Sequence, residues 1–455
     1  MKVVIVGAGQ IGVALAKYLR IEEHAVVLID SKKEVLEHLA EQFDIQTVVG
    51  SGTSPSVLSR AGAKDADVFL AVTGNDEANI ISCALAKTLF QVNKRIARLT
   101  SSEYLDKKNA AFLDELSLDV VVSPELETAK RILSDLAING AMDVTSFCEN
   151  KVQFLGLKCR KNCALIGKTV AEIRELIGNV NFTIVAINRK NQLLDLKQSS
   201  IKVGDDVYFF VAEGHLERVL DIFGYEITMP DNVLIFGGGH IGYDLSVLLE
   251  APIDRQNVTI IENSEERATF LASHLSETMI IKGNGFDDKL LDEIDFKNYY
   301  VSVATTHKDE DNVLLSLLAK RNGVSRSCAL IRNELYMNYV SGLGIDSFIN
   351  PNAVMVSAIL QHMRKGRVQD GYFLQSGLGE LLQIEVLPTA KITKGPLSKI
   401  KMPRGVVLGG VLRDGIFIYP DKDLMMQAGD IAFVFVERGF VKETEKLFTV
   451  DLTFF

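Results

Sequence analysis

Near the start of the chain, Gly7-x-Gly9-x-x-Gly12 follows the apolar run Val3-Val4-Ile5-Val6 and precedes Ala14, Leu15, Tyr18 and Leu19, which recur at helical spacing. Glycines so spaced between a strand and a helix form a cradle for a pyrophosphate. Gly7 permits the tight turn, Gly9 lets the phosphate approach the backbone, and Gly12 lets helix and strand pack closely. Ala8, Gln10 and Ile11 complete the cradle, and the free N–H groups and dipole of the helix start face the anion. Asp30 stands 18 residues after Gly12, near the spacing of a carboxylate that accepts hydrogen bonds from ribose hydroxyls. Such an acid opposes a 2′-phosphate, so NAD(H), ATP or ADP fits better than NADP.

The same constellation returns. Gly237, Gly238, Gly239, His240, Ile241 and Gly242 follow Val233-Leu234-Ile235-Phe236 at an offset of 230, and Glu262 lies 20 residues after Gly242. Val49-Gly50-Ser51-Gly52 matches Lys282-Gly283-Asn284-Gly285, and Asp76-Glu77-Ala78-Asn79 matches Asp309-Glu310-Asp311-Asn312, both at 233. The stretch from Leu118 to Pro124 matches that from Ile345 to Pro351 at 227. Four ordered matches at nearly constant spacing imply a tandem duplication.

Ligands of such folds bind at the carboxyl ends of the strands, which brings further residues to the crevice. Ser51 and Gly52, with Asn284, end the third strand; Thr73 and Gly74, with Thr306 and His307, end the fourth. Arg98 ends the fifth, where its fork of donors suits phosphate, and Arg332 reads as its equivalent. Asp76, Glu77 and Asn79 and their repeats read as helix-capping residues, since acids are favoured in a first helical turn.

These residues need a scaffold. Apolar runs at Lys2–Val6, Ala25–Ile29, Ile45–Val49, Asp67–Val72, Arg95–Leu99 and Asp119–Val122 alternate with helical stretches, the pattern of a doubly wound parallel sheet. A second copy spans 231 to 365. After each copy the texture changes to short strands, Phe182–Ile187, Asp206–Val211, Val406–Leu412 and Asp430–Val436. The expected organisation is a Rossmann-like module over 1–140, a small α+β module over 141–225, a second Rossmann-like module over 230–365 and a second α+β module over 366–455.

Composition narrows the function. The 455 residues contain 47% hydrophobic and 24% charged side chains with a net charge of −10, which disfavours nucleic acid. No apolar run nears the roughly 18 to 20 residues of a spanning helix. The opening Met1-Lys2-Val3 enters a strand directly, so no signal peptide is expected, and the five cysteines fit a reduced cytoplasm. None of the seven histidines recurs in both copies, and His240 faces Gln10 in the repeat alignment. Cys159-x-x-x-Cys163 has no second ligand pair for zinc. Gly167-Lys168-Thr169 lacks the context of a phosphate loop, and no nucleophile elbow occurs. Two nucleotide sites without visible chemistry point to a sensor, with no catalytic or metal-binding residue assigned. The competing reading is a soluble NAD-dependent oxidoreductase.

Gly7 to Gly12 with Asp30, Gly50-Ser51-Gly52-Thr53, the run Ala66 to Thr73, Ala97-Arg98 and Val122-Ser123-Pro124-Glu125 resemble the pattern of the RCK (KTN) family. Ser51 departs from it, the family often having Asp or Asn there. The resemblance implies a non-enzymatic cytoplasmic gating subunit, peripheral on the inner face of the membrane through a Trk-type potassium-translocating partner. It also implies NAD(H), ATP or ADP as ligands and self-association into a ring; at two RCK modules per chain, each a Rossmann-like and an α+β part, a homotetramer supplies eight.

Overall fold

The computed structural model describes residues 1–448 except 44, 106–117, 139–140, 179, 191, 226–229, 252–256, 334–335, 337–342, 364–367 and 375–377. Its strands are β1 (Lys2–Val6), β2 (Ala25–Asp30), β3 (Gln46–Val49), β4 (Val68–Ala71), β5 (Lys94–Arg98) and β6 (Val120–Val122), forming a parallel sheet in the order β3-β2-β1-β4-β5-β6. Strands covered on both faces read as continuous apolar runs, and Val68 to Ala71 are all buried. The strand ends lie within a residue or so of the positions the periodicity implies.

Between them come β7 (Ala141–Phe147), β8 (Val152–Lys158), β9 (Phe182–Arg189), β10 (Gln192–Leu193) and β11 (Asp206–Ala212), an antiparallel sheet in the order β10-β9-β11-β8-β7. The second parallel sheet holds β12 (Asn232–Phe236), β13 (Asn257–Glu262), β14 (Met279–Lys282), β15 (Val301–Ala304), β16 (Arg326–Leu330) and β17 (Ser347–Ile349), with β14-β13-β12-β15-β16-β17 repeating the first order. The last sheet, β18-β19-β22-β20-β21, is antiparallel and built from β18 (Val368–Phe373), β19 (Gly379–Glu385), β20 (Val406–Arg413), β21 (Ile416–Ile418) and β22 (Ile431–Glu437).

Two compact units result: residues 1–128 with 351–364, and residues 129–350 with 365–455. In the first, the helix Pro351–Met363 packs on the helix Gln10–Ile21 and on β5 and β6. In the second, the antiparallel sheets meet across aromatic rings. Phe433 lies 5.6 Å from Phe147 and 5.9 Å from Phe210, centroid to centroid. Gly409 makes the fit possible, because a Cβ there would stand 2.1 Å from Phe210 Cδ2. The second unit also buries an ion pair, Asp135 on the helix Pro124–Ala137 accepting from Arg326 Nη2 at 3.1 Å, with Ser347 Oγ donating to the same carboxylate at 2.8 Å. Burial pushes the Asp135 carboxyl above its usual range, while the Arg326 and Arg131 guanidinium groups pull it down. Among the described residues no helix is long and apolar enough to cross a membrane.

Phe433→Ala removes a fully buried ring from the inter-sheet layer. We expect a loss of about 3–5 kcal/mol, seen as a lower melting temperature in scanning calorimetry. An unchanged melting temperature would show that these rings are not packed in solution.

Candidate functional site

In a sheet of this order the connections from β1 and β4 leave toward opposite faces, opening a crevice at the carboxyl edge. Gly7 ends β1 with φ +107°, a conformation L side chains rarely adopt, and donates to Ile29 O at 2.8 Å. A Cβ on Gly12 would stand 1.9 Å from Gly7 O, whereas a Cβ on Gly9 would meet nothing within 4 Å. Gly9 thus borders open space and Gly12 permits the helix to start against the strand. That helix has no side-chain cap and no acid in its first turn. Its first N–H groups, which lack intrahelical acceptors, therefore face the crevice without a competing anion. The second loop repeats this: Gly237 has φ +101°, a Cβ on Gly242 would stand 2.2 Å from Gly237 O, and the helix His240–Leu249 is likewise uncapped by side chains.

The two carboxylates are held by the loops they serve. Asp30 Oδ2 accepts from Ala8 N at 2.7 Å and Oδ1 from Lys32 N at 2.9 Å. Glu262 Oε2 accepts from Gly238 N and Oε1 from Ser264 N, both at 2.7 Å. The longer acid goes with the smaller loop residue. A Cβ at position 238 would come within 3.2 Å of Glu262 Oε2 and 2.2 Å of Leu271 Cδ1. Both carboxylates keep lone pairs for ribose hydroxyls.

At the third strand, Ser51 Oγ bonds Thr53 Oγ1 at 2.8 Å, and Asn284 Oδ1 accepts from Phe286 N at 3.1 Å, so each shapes its own turn. Gly52 is buried against Val6, where a Cβ would stand 2.2 Å from Cγ1. Gly74 is exposed with open space beside it. At the loop's second variable position, Gln10 Oε1 accepts from Asn352 Nδ2 at 2.6 Å, while His240 is exposed.

Two expectations are corrected here. Asp76, Asn79 and their repeats are not caps; Asn75 caps the helix Asp76–Thr88, accepting from Ala78 N. Asp76 Oδ2 instead accepts from Thr100 N and Ser101 N, and buried Asn79 joins Thr73 N to Arg98 O. Asp309 and Asn312 do the same for Arg332 N, Asn333 N, Thr306 N and Leu330 O. These side chains tie the end of one strand to the next, a tertiary role invisible to first-turn statistics.

The second correction follows from these bonds. The residue whose carbonyl receives Asn79 is Arg98, and the one that receives Asn312 is Leu330. Arg332 therefore corresponds to Thr100, not to Arg98. Its Nη1 donates to Thr306 O at 3.1 Å and lies 3.5 Å from Asp309 Oδ1. Arg98 keeps a buried Nε without a hydrogen-bond partner. The crevices thus place their arginines at different points.

Sequence reasoning also passed over Arg267, which donates from Nε to Gly238 O at 2.6 Å. Desolvation lowers its pKa, with the Glu262 charge opposing that shift. Its first-copy counterpart is Val35, so no repeat could flag it.

Residues 3–124 and 233–351 match the family model of the TrkA-N domain. The Trk system potassium uptake protein TrkA of Azorhizobium caulinodans is 34% identical, with 100% of both chains covered. The chain belongs to the TrkA family. The TrkA of Haemophilus influenzae is 32% identical over 98% of each chain. Among solved structures, the GsuK RCK domain superposes with a TM-score of 0.60 at 18% identity, covering 98% of this chain and 94% of that one. The GsuK channel gives 0.62 at 16%, covering 98% and 78%. At such identities the likeness is one of fold, and it carries the tandem Rossmann-like sheets with their α+β modules.

The cradle geometry separates two glycine substitutions. Gly9→Ala should change stability by less than about 0.5 kcal/mol yet abolish nucleotide binding at the first of the two candidate sites, where its methyl group would enter the space the cradle leaves for a phosphate. Gly12→Ala should cost about 3 kcal/mol or more, because the clash is with backbone. Melting temperature and calorimetric titration of each variant with NADH check both; a Gly9→Ala protein that binds normally would place the phosphate elsewhere.

Proposed function

We propose that the chain is the nucleotide-binding regulatory subunit of a Trk potassium uptake system, controlling potassium flux through a membrane partner. The observation that carries this reading is the pair of uncapped glycine cradles, each with a ribose-ready carboxylate fixed to the loop backbone. Membership of the TrkA family supplies the system. In this reading Gly7 to Gly12, Asp30, Ser51, Thr73 and Arg98 line the first site. Gly237 to Gly242, Glu262, Asn284, Thr306 and Arg332 line the second. NAD(H) is the principal ligand and ATP or ADP a further one; a GsuK channel structure is described as bound to NAD. Each Rossmann-like module with the α+β module that follows it counts as one ring unit, two per chain, so that a homotetramer presents a ring of eight units on the cytoplasmic face of the membrane. Ligand binding shifts the ring between conformations by the difference in its affinity for them.

Turnover is not part of this reading. His240, in the second glycine loop, and His307, just beyond the end of β15, belong to the second copy alone and stand where the first copy has Gln10 and Gly74.

Asp30→Ala and Glu262→Ala should each weaken NADH binding about tenfold or more at one of two sites, from the loss of charge-assisted hydrogen bonds. Titration calorimetry of the full chain reads this directly. Unchanged affinity in both variants would reject the placement of the sites. Steady consumption of NADH with a metabolite would favour the oxidoreductase instead.

A further inference from the structure

The first α+β module carries a stretch of charge of one sign. From Lys151 to Ala171 there are five cations, Lys151, Lys158, Arg160, Lys161 and Lys168, and no acid, in a chain whose net charge is −10. Backbone bonds lace the segment after β8 to the turn before β11. Cys159 N donates to Asp205 O at 2.7 Å, Gly204 N to Cys159 O at 2.8 Å and Gly167 N to Ile201 O at 2.8 Å. The two segments thus form one surface patch. It presents Lys158, Arg160, Lys161 and Lys202, all exposed, beside two aliphatic side chains left in solvent, Ile166 at 37% and Val203 at 52% exposure. The acids nearby are committed to other partners. Asp205 is buried in a two-pronged bond from Arg189, and Asp206 takes Asn188 Nδ2 at 3.1 Å and Lys158 Nζ at 3.4 Å. Glu172 accepts from Thr169 N at 2.7 Å at the start of the helix Val170–Ile177. Arg160 is held over the Tyr225 ring, its guanidinium carbon 4.0 Å from the centroid.

We infer that this patch docks on an anionic lipid surface, its cations meeting phosphate headgroups and Ile166 and Val203 entering the boundary between headgroups and acyl chains. Each Lys or Arg close to such a surface adds to the attraction, which decays within about 8 Å at physiological salt. The acidic remainder of the chain is screened beyond that distance and does not cancel the patch. Aliphatic side chains standing among cations are the composition of a membrane-surface contact. Residues 158–168 and 200–206 contain no aromatic side chain, the anchor that protein partners and single-stranded nucleic acids use. The second α+β module lacks the patch. In the repeat, Lys158, Arg160 and Lys161 stand against Glu385, Leu387 and Pro388, and Lys202 and Val203 against Gln427 and Ala428. The contact therefore belongs to one half of the duplication. It rests on the membrane placement of the proposed function, is independent of the nucleotides, and adds a lipid contact to the one made through the membrane partner.

The test mixes the full chain with vesicles of phosphatidylcholine, alone or with phosphatidylglycerol added, and reads the bound fraction by co-sedimentation. Binding should require phosphatidylglycerol and be released by high salt. Lys161→Gln combined with Lys202→Gln should lower the partition coefficient about thirtyfold, the effect of two surface cations lost. Val203→Asp should lower it in the same direction. Lys399→Gln combined with Lys401→Gln, the same charge change on the second α+β module, should leave it unchanged. All five positions are exposed, so melting temperature and NADH titration should match the unsubstituted chain in every variant. Equal capture by both kinds of vesicle, capture by neither, unchanged partition in the patch variants or an equal loss in the control pair would each overturn the inference. A changed sedimentation mass of the patch variants without vesicles would make the surface a contact between copies of the chain, and would overturn it too. In all these cases the nucleotide-binding regulatory reading stands, since it is decided by the NADH titration.

Discussion

The carbonyl oxygen that closes β1 occupies the space where the helix behind it would otherwise carry a methyl group. In the first copy this oxygen lies 1.9 Å from the Cβ that Gly12 lacks, and in the second 2.2 Å from that of Gly242. Only at this approach does the helix begin directly over the strand end, with its uncommitted N–H groups aimed across the crevice. The positive φ of Gly7 and Gly237 is the other half of the same requirement, since the chain must reverse between strand and helix without a side chain. Removing the approach would displace the helix start, the loop amide that holds the carboxylate, and the open space beside Gly9 together.

The crevice walls are fixed independently of ligand. Asn79 and Asn312 are fully buried amides whose donors and acceptors run from the end of one strand to the end of the next. Asp76 and Asp309 hold the following two amides. A buried amide left without these partners would be costly, so strand spacing at the mouth is set before a nucleotide arrives. Under the proposed function, binding would spend little on ordering the walls. Gln10, by contrast, is bonded to Asn352 of the helix Pro351–Met363, so the first loop touches an element encoded at the end of the second copy.

The sheets were legible because parallel strands buried on both faces leave unbroken apolar runs, as at Val68 to Ala71, and because the copies confirm each other. The glycines and the acids Asp30 and Glu262 were legible for a different reason: their constraints act over a few residues of chain. Asn79 was visible as a repeat yet assigned a local role, because its partners Thr73 and Arg98 meet only when two strands are laid side by side. Arg332 was mispaired with Arg98 because residue type was matched where strand register decides, and register is a property of the sheet. Arg267 left no signal at all. Its meaning depends on Gly238, Tyr243 and Phe270 converging from two helices and a loop.

These differences follow a pattern. What the fold requires is kept in both copies: the closing glycines, the strand-end amides and the carboxylate on the loop. Other positions have diverged: Ala8 against Gly238, Gln10 against His240, Arg98 against Leu330, Thr100 against Arg332 and Val35 against Arg267. A ligand shifts a conformational equilibrium only through unequal affinity for the two states. Two identical clefts would report one nucleotide twice. Unequal clefts coupled through one chain let each ligand change the affinity of the other by a reciprocal factor. Under the proposed function, packing constraints preserve the scaffold in both copies, and the diverged positions would let the two clefts answer to different nucleotides or to the same one at different concentrations.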